Sequence, residues 1–139
     1  MRALALDLDA VLGDTRPLWQ AWRDEASRKL RVEPGALEAE VANWPALLEH
    51  FAEDHAAVYL RPDGEANAAL RRLRATGVRL GAFTDAPEPL ARVAAAQLGV
   101  ERQLEALEAG DGALPRLIER LGAGTEIVRT RDALLHLAS

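Results

Sequence analysis

Apolar and polar positions follow two rhythms along this chain, short buried runs and stripes at helical spacing. Ala3-Leu4-Ala5-Leu6 opens the first run, and residues 2–8 read as a strand buried on both faces. Leu18, Trp19, Trp22, Ala26 and Leu30 then recur at helical spacing, with Pro17 in the first turn and Thr15 before it as a cap. Pro34-Gly35 marks a turn, after which Leu47, Leu48, Phe51, His55, Val58 and Tyr59 form a second helical face. Beyond Pro62-Asp63-Gly64 the pattern becomes regular. Ala66, Leu70 and Leu73 predict a helix ending at Thr76-Gly77, and Val78 to Phe83 a second strand ending in Thr84-Asp85-Ala86-Pro87. Leu90, Val93, Ala94 and Leu98 line the next helix, closed by Gly99, and Leu104 to Leu107 read as a third strand. Gly110-Asp111-Gly112 turns into a helix carrying Leu114, Leu117, Ile118 and Leu121; a strand over 126–128 and a helix over 131–138 complete the chain.

This alternation predicts an α/β fold, a Rossmann-like parallel sheet with helices on both faces. Residues 16–61 interrupt it. They read as a helical insertion, so that 1–15 and 62–139 form the core and 16–61 a reduced cap at the sheet's C-terminal edge. The chain's 139 residues are one domain's worth, and 49% apolar content is enough for an ordinary core.

Charge narrows the partners. A net charge of −5 argues against a nucleic-acid footprint or an anionic membrane surface. Without cysteine there are no disulfides and no thiolate metal sites. The chain has no apolar run long enough for a secretory leader or a membrane span, and a cytoplasmic protein is the expectation. Lys29 is the only lysine, so arginine carries nearly all the positive charge.

The candidate chemistry sits in one place, Asp7-Leu8-Asp9-Ala10-Val11-Leu12-Gly13-Asp14-Thr15. Two carboxylates delivered to the C-terminal end of a strand, where open α/β sheets bind ligands, repel unless a cation or proton lies between them. The pattern points to a divalent metal and a nucleophilic aspartate. An aspartate two residues on points to the same side of an extended strand, within reach of the same leaving group.

Asp7-x-Asp9-x-Val11-Leu12-x-Asp14 resembles motif one of the haloacid dehalogenase-like phosphatase superfamily. Gly77 through Asp85 resembles motif two, an apolar strand ending in a hydroxyl residue, and Asp14-Thr15-x-Pro17-Leu18-Trp19 resembles the start of the cap in the phosphoglycolate-phosphatase-like branch. The resemblance implies a hydrolase of small phosphomonoesters. Asp7 would form the aspartyl-phosphate and Asp9 would act as general acid and base. Thr84, with Asp85 beside it, would bind the phosphoryl group. Mg²⁺ would sit on Asp7 and the Asp9 carbonyl.

Two expected parts are missing. The superfamily's third motif is a lysine, yet residues 105–115 contain none. Lys29 could reach the site only by folding over it, and Arg92, Arg116 and Arg131 are the other candidate cations. The fourth motif places acidic residues after the last strand, where this chain has Val128-Arg129-Thr130-Arg131-Asp132. Arg129 or Arg131 could bind an anion directly with the metal dispensable. Losing one preorganised electrostatic group commonly costs on the order of a hundredfold in rate. The expectation is therefore a weak Mg²⁺-dependent phosphatase, or else a degenerate relative binding a phosphorylated ligand or protein partner without turnover. A phospho-accepting receiver domain fits less well, because of the Asp-x-Asp spacing and the insertion.

The remaining features have plain readings. His50 and Asp54 share a helix face as a solvated pair, and His55 packs with a local hydrogen bond. Trp19, Trp22 and Trp44 supply a small helical insertion with a core. Arg71, Arg72 and Arg74 solubilise an outer face.

Overall fold

A computed structural model of the chain describes residues 2–139. Strands β1 (Ala3–Asp7), β2 (Arg79–Thr84), β3 (Ala106–Ala109) and β4 (Glu126–Val128) form one parallel sheet in the order β3-β2-β1-β4. Helices separate them: α1 (Leu8–Val11), α2 (Arg16–Leu30), α3 (Leu37–Glu40), α4 (Trp44–Tyr59), α5 (Gly64–Ala75), α6 (Glu88–Leu98), α7 (Ala113–Leu121) and α8 (Arg131–Leu137). The predicted α/β class and four-strand sheet are therefore what the chain forms.

Strand β1 reads as a continuous apolar run because both its faces are covered. Leu4 and Leu6 face the larger core, which also takes in Leu70, Leu90, Leu98 and Leu134. Ala3 and Ala5 face the smaller one, built with Leu117 and Leu121 of α7. Gly81 explains how closely α7 lies on the sheet: a Cβ there would stand 2.6 Å from Leu117 Cδ1 and 2.9 Å from Leu121 Cδ1. No side chain fits between helix and strand at that point.

Several boundaries differ from the sequence reading. Strand β1 stops at Asp7, and Leu8 begins a single helical turn in which Leu8, Val11 and Leu12 are buried. Asp9 therefore belongs to a helix, not to an extended strand, and the alternation argument for its direction does not apply. The third strand is Ala106–Ala109, two residues later than expected; Glu105 instead donates its N–H to Leu80 O as the chain joins the sheet. Leu30 of α2 and Val58 and Tyr59 of α4 are exposed rather than on apolar faces, and α4 buries Leu48 and Phe51 of the expected stripe together with Ala52 and Ala56. The stripe drifted because α4 packs along α6 on one side and α2 on the other.

Residues 16–61 pack into the larger core. Leu18, Trp22, Leu37, Leu48 and Phe51 belong to the same buried cluster as Leu4 and Leu6. Trp19 stacks on Trp22 with ring centroids 5.4 Å apart, and Trp44 tilts against Trp22 at 6.5 Å. His55 stacks on Phe51 and bonds through Nδ1 to the Phe51 carbonyl at 2.9 Å, the packed histidine that its helical face suggested.

The two ends of the C-terminal half are tied at Asp63. Its carboxylate caps α5 by accepting from Ala66 N–H at 3.2 Å and pairs with Arg131 Nε at 2.6 Å. The Arg131 hydrogen bonds hold the Asp63 carboxyl below the usual carboxylate range, against a smaller opposing effect of burial. Arg120 and Arg116 do the same for Glu108. Both groups have folded pKa values below their unfolded ones. Their contribution to stability is thus complete above roughly pH 4–5 and is lost as pH falls through the folded values. Thermal unfolding followed from pH 6 to pH 2.5 should show this loss, and Asp63→Asn should reduce its slope. Asp63→Ala also removes the cap and should cost about 1–2 kcal/mol at neutral pH. An unchanged pH profile in Asp63→Asn would rule out this pair as a source of the acid sensitivity.

Candidate functional site

The strand order decides where a ligand belongs. From β1 the chain moves outward to β2 and β3, then returns to lay β4 on the other side of β1. The reversal lies between β1 and β4, and the crevice at their C-terminal ends is the usual ligand position in such sheets. Asp7 ends β1 there, and Arg129 follows β4 directly.

A cleft of about 260 Å³ opens at this point, lined by Asp7, Asp9, Thr84, Asp85 and Arg129 among others. The structure thus brings together Asp7, Asp9, Thr84 and Asp85, the catalytic and phosphate-binding candidates read from the sequence. Larger cavities occur elsewhere, one of about 600 Å³ between α4 and α6, but none of them holds the acidic motif. The lining comes from the sheet end, the start of α7 at Gly112–Pro115, and Arg129, with no residue of 16–61 taking part.

Within the cleft the two aspartates are held differently. Asp9 accepts three hydrogen bonds. Thr15 donates to Asp9 Oδ1 from its N–H at 2.8 Å and from its hydroxyl at 2.6 Å, and Thr84 Oγ1 donates to Asp9 Oδ2 at 2.6 Å. Thr84 Oγ1 in turn accepts from Ala86 N–H at 3.2 Å. Thr15 and Thr84 are both buried, so Asp9 is the acceptor that satisfies their hydroxyls. Thr15 precedes α2, but its hydroxyl makes no cap bond to that helix. Its side chain is oriented to donate to Asp9 Oδ1, and in that orientation its oxygen meets no helical N–H. Sequence reasoning missed this role, since a threonine before a proline-led helix looks like a cap from the sequence alone.

Asp7 faces a cation. Arg129 Nη1 stands 3.9 Å from Asp7 Oδ2, an ion pair without a hydrogen bond, and the Arg129 guanidinium lies over the Phe83 ring, 5.7 Å from its centroid. Phe83 is the second residue that the sequence did not single out. It pairs in register with Asp7 across β1 and β2, which places its ring beside the carboxylate. Asp14 is nearby but occupied: Arg16 donates to it through Nε at 2.8 Å and Nη2 at 3.0 Å, and these bonds hold the Asp14 carboxyl below its usual range.

The other candidate cations lie elsewhere. Lys29 pairs with Glu25 at 3.5 Å on α2 and borders a different cleft with Trp22 and His50. Arg131 is committed to Asp63 and Glu65. Arg92 bonds Glu49 and Glu88, and Arg116 bonds Glu108. None of them stands where a lysine would face Asp7. The arginine side chains were drawn to acidic neighbours that the one-dimensional spacing did not reveal.

The donor set does not suit Mg²⁺. A divalent ion of this kind takes six oxygens, several from water, with at least one or two carboxylates free to ligate. Among the described residues no group of three or more His, Asp and Glu side chains is placed to hold a metal. Asp9 accepts hydrogen bonds through both carboxylate oxygens and Asp7 has a guanidinium beside it, which leaves Asp85, at the exposed rim of the cleft, as the one carboxylate there without a partner among the described residues.

No protein-family model matches the sequence, and no curated protein is significantly similar to it. Solved structures share its fold. CbbY from Rhodobacter sphaeroides, crystallised in complex with phosphate, superposes with a TM-score of 0.69 at 16% identity, over 91% of this chain and 76% of that one. A Thermotoga maritima protein provisionally designated a β-phosphoglucomutase gives a TM-score of 0.60 at 19% identity, over 99% of this chain and 82% of that one. Identities this low establish architecture alone. The chain has the haloacid dehalogenase-like fold that its two motifs resembled. No described helix is long and apolar enough to cross a membrane.

Proposed function

We propose that this chain is a catalytically reduced member of the haloacid dehalogenase-like group, whose Asp7 cleft binds the phosphoryl group of a small molecule without turnover at ordinary enzyme rates. The observation that carries this reading is the end of the sheet. Asp7, Asp9 and Thr84 converge there, while the positions expected for a lysine and for metal-binding acids hold Gly112–Pro115 and Arg129. Phosphoryl transfer depends on positioning and on neutralising charge around the phosphoryl oxygens. Here a single guanidinium stands among three carboxylates, which leaves one cation to hold phosphoryl oxygens and gives little stabilisation to the charge that develops during transfer. Arginine can grip phosphoryl oxygens through its planar fork, which supports binding more than chemistry. The phosphate carried by the structural neighbour CbbY supports the ligand class.

A second reading is favoured by Asp7 itself, which among the described residues receives no hydrogen bond and is free to act as a nucleophile. In a slow phosphatase the Asp7 carboxylate forms an O–P bond as the ester P–O bond breaks, and the leaving oxygen takes a proton from the Asp9 carboxyl. Water then hydrolyses the acyl phosphate and restores Asp7. Asp9 Oδ2 accepts a single hydrogen bond, from Thr84, and its second lone pair is where that proton would sit. Residues 16–61 serve in either reading as a reduced cap fixed beside the core. The packing of α4 on α6 supports this, as does the Arg92–Glu49 pair at 3.1 Å.

Hydrolysis of an aryl phosphate by wild type and Asp7→Asn tests the choice. Equal background rates in both proteins, with inorganic phosphate still binding in a calorimetric titration, are expected. An Asp7-dependent rate near ten per second, a typical enzyme value, would replace the binding reading with the phosphatase.

A further inference from the structure

Three strands bring one residue each to the switch point of the sheet. Asp7 pairs in register with Phe83 of β2, and Leu6 pairs with Val128 of β4, so Arg129 is the next step opposite Asp7. The register therefore sets Phe83, Asp7 and Arg129 side by side across the strand ends. Phe83 is buried and fixed, and its ring lies under the guanidinium at 5.7 Å, a cation–π distance. Arg129 itself remains half exposed. The charge beside Asp7 is thus placed by backbone register on one side and by an aromatic platform on the other.

We propose that Arg129 is the built-in cation of this cleft: its guanidinium neutralises Asp7 in place of a divalent ion and excludes such an ion from the site. The inference rests on the metal-free reading above and deepens it. A divalent ion on Asp7 needs its oxygens at roughly 2.0–2.6 Å, which puts the ion within a few ångströms of a fixed positive charge. The carboxylate's attraction is already shared with Arg129, and among the described residues the exposed Asp85 is the one other unpaired side-chain carboxylate in the cleft, too little to offset the repulsion. The guanidinium also keeps donors free for a phosphoryl oxygen, since its 3.9 Å approach to Asp7 uses none of them in a hydrogen bond.

The exclusion makes a specific demand on a single side chain. Arg129→Asp removes the blocking charge and adds a carboxylate beside Asp7 and Asp85, which converts the cleft toward an oxygen-donor site. The test is a Mn²⁺ titration of the full chain, with free ion followed by electron paramagnetic resonance. Wild type should bind no Mn²⁺ in an Asp7-dependent way at millimolar concentration. Arg129→Asp should bind at least about tenfold more tightly than wild type, and Asp7→Asn in the same chain should abolish the gain. Arg129→Gln, which removes the charge without adding a ligand, should show a smaller gain, and Arg129→Lys none. Circular dichroism establishes that each variant is folded, and the exposure of Arg129 makes the Gln variant a safe second probe should the Asp variant unfold. Asp7-dependent Mn²⁺ binding by wild type overturns the proposal, as does an unchanged affinity in both Arg129→Asp and Arg129→Gln. The phosphatase assay fails independently: metal-free, Asp7-dependent hydrolysis by wild type would remove the binding-only reading and leave the role of Arg129 standing.

Discussion

Trp22→Ala will lower the unfolding free energy by about 3–5 kcal/mol, and the loss will fall on the whole chain in one transition. Trp22 is 3% exposed at the centre of the aromatic group with Trp19 and Trp44. It lies in the same buried cluster as Leu4 and Leu6 of β1, so the cavity left by its truncation opens into the principal core. A large aromatic removed from such a place loses both its transfer free energy and its contacts. Urea unfolding followed by far-UV circular dichroism measures the loss, and hydrogen exchange shows where it is felt. If 16–61 shares one cooperative core with the sheet, amides in β1 and β2 lose protection together with those in α2 and α4. If exchange rises only within 16–61 while the strands keep their protection, the insertion is a separately folding lobe.

The core and the strand ends were readable because they depend on local signals. Continuous apolar runs bounded by turn residues marked β1 and β2, and the acidic and hydroxyl residues at their ends marked the cleft. The site's inner arrangement was not readable, because it depends on which polar groups meet across the sheet. Thr15 and Thr84 both end on Asp9, 6 and 75 residues apart along the chain. Arg131, an equal candidate with Arg129 in the sequence, went to Asp63 instead, 68 residues away. Arg129 reached Asp7 through the β1–β4 register, a pairing that a three-residue strand does not announce. The helical turn at Leu8–Val11 was hidden for a different reason. Leu8, Val11 and Leu12 are apolar, and four residues are too few to tell a turn of helix from a strand continuing.

Asp9→Ala will destabilise the fold by about 3 kcal/mol, a loss set by the three donors it strands. Two opposing effects compete at this position. Asp9 sits in a cleft with Asp7 and Asp85, and removing its charge relieves repulsion, which is why carboxylates kept for chemistry often stabilise a protein when replaced. Against that, Thr15 N–H, Thr15 Oγ1 and Thr84 Oγ1 all donate to Asp9, and both threonines are at most 2% exposed. Each stranded donor costs on the order of 1–3 kcal/mol, and relief of the repulsion offsets part of that sum, which leaves a net near ~3 kcal/mol. Asp7 and Asp85 are partly screened by Arg129 and by water, so the hydrogen bonds should win. The knot also joins β1, the start of α2 and the end of β2, so its loss loosens three elements together. Asp9→Asn keeps one acceptor oxygen for Thr15 and should cost less than half as much. Urea denaturation at pH 7 reads both variants against wild type. A stabilised Asp9→Ala would show that repulsion dominates and that Asp9 is held for chemistry. A loss near the expected size makes Asp9 the structural anchor of the cleft and leaves Asp7, at the end of β1, as the carboxylate free to meet a ligand.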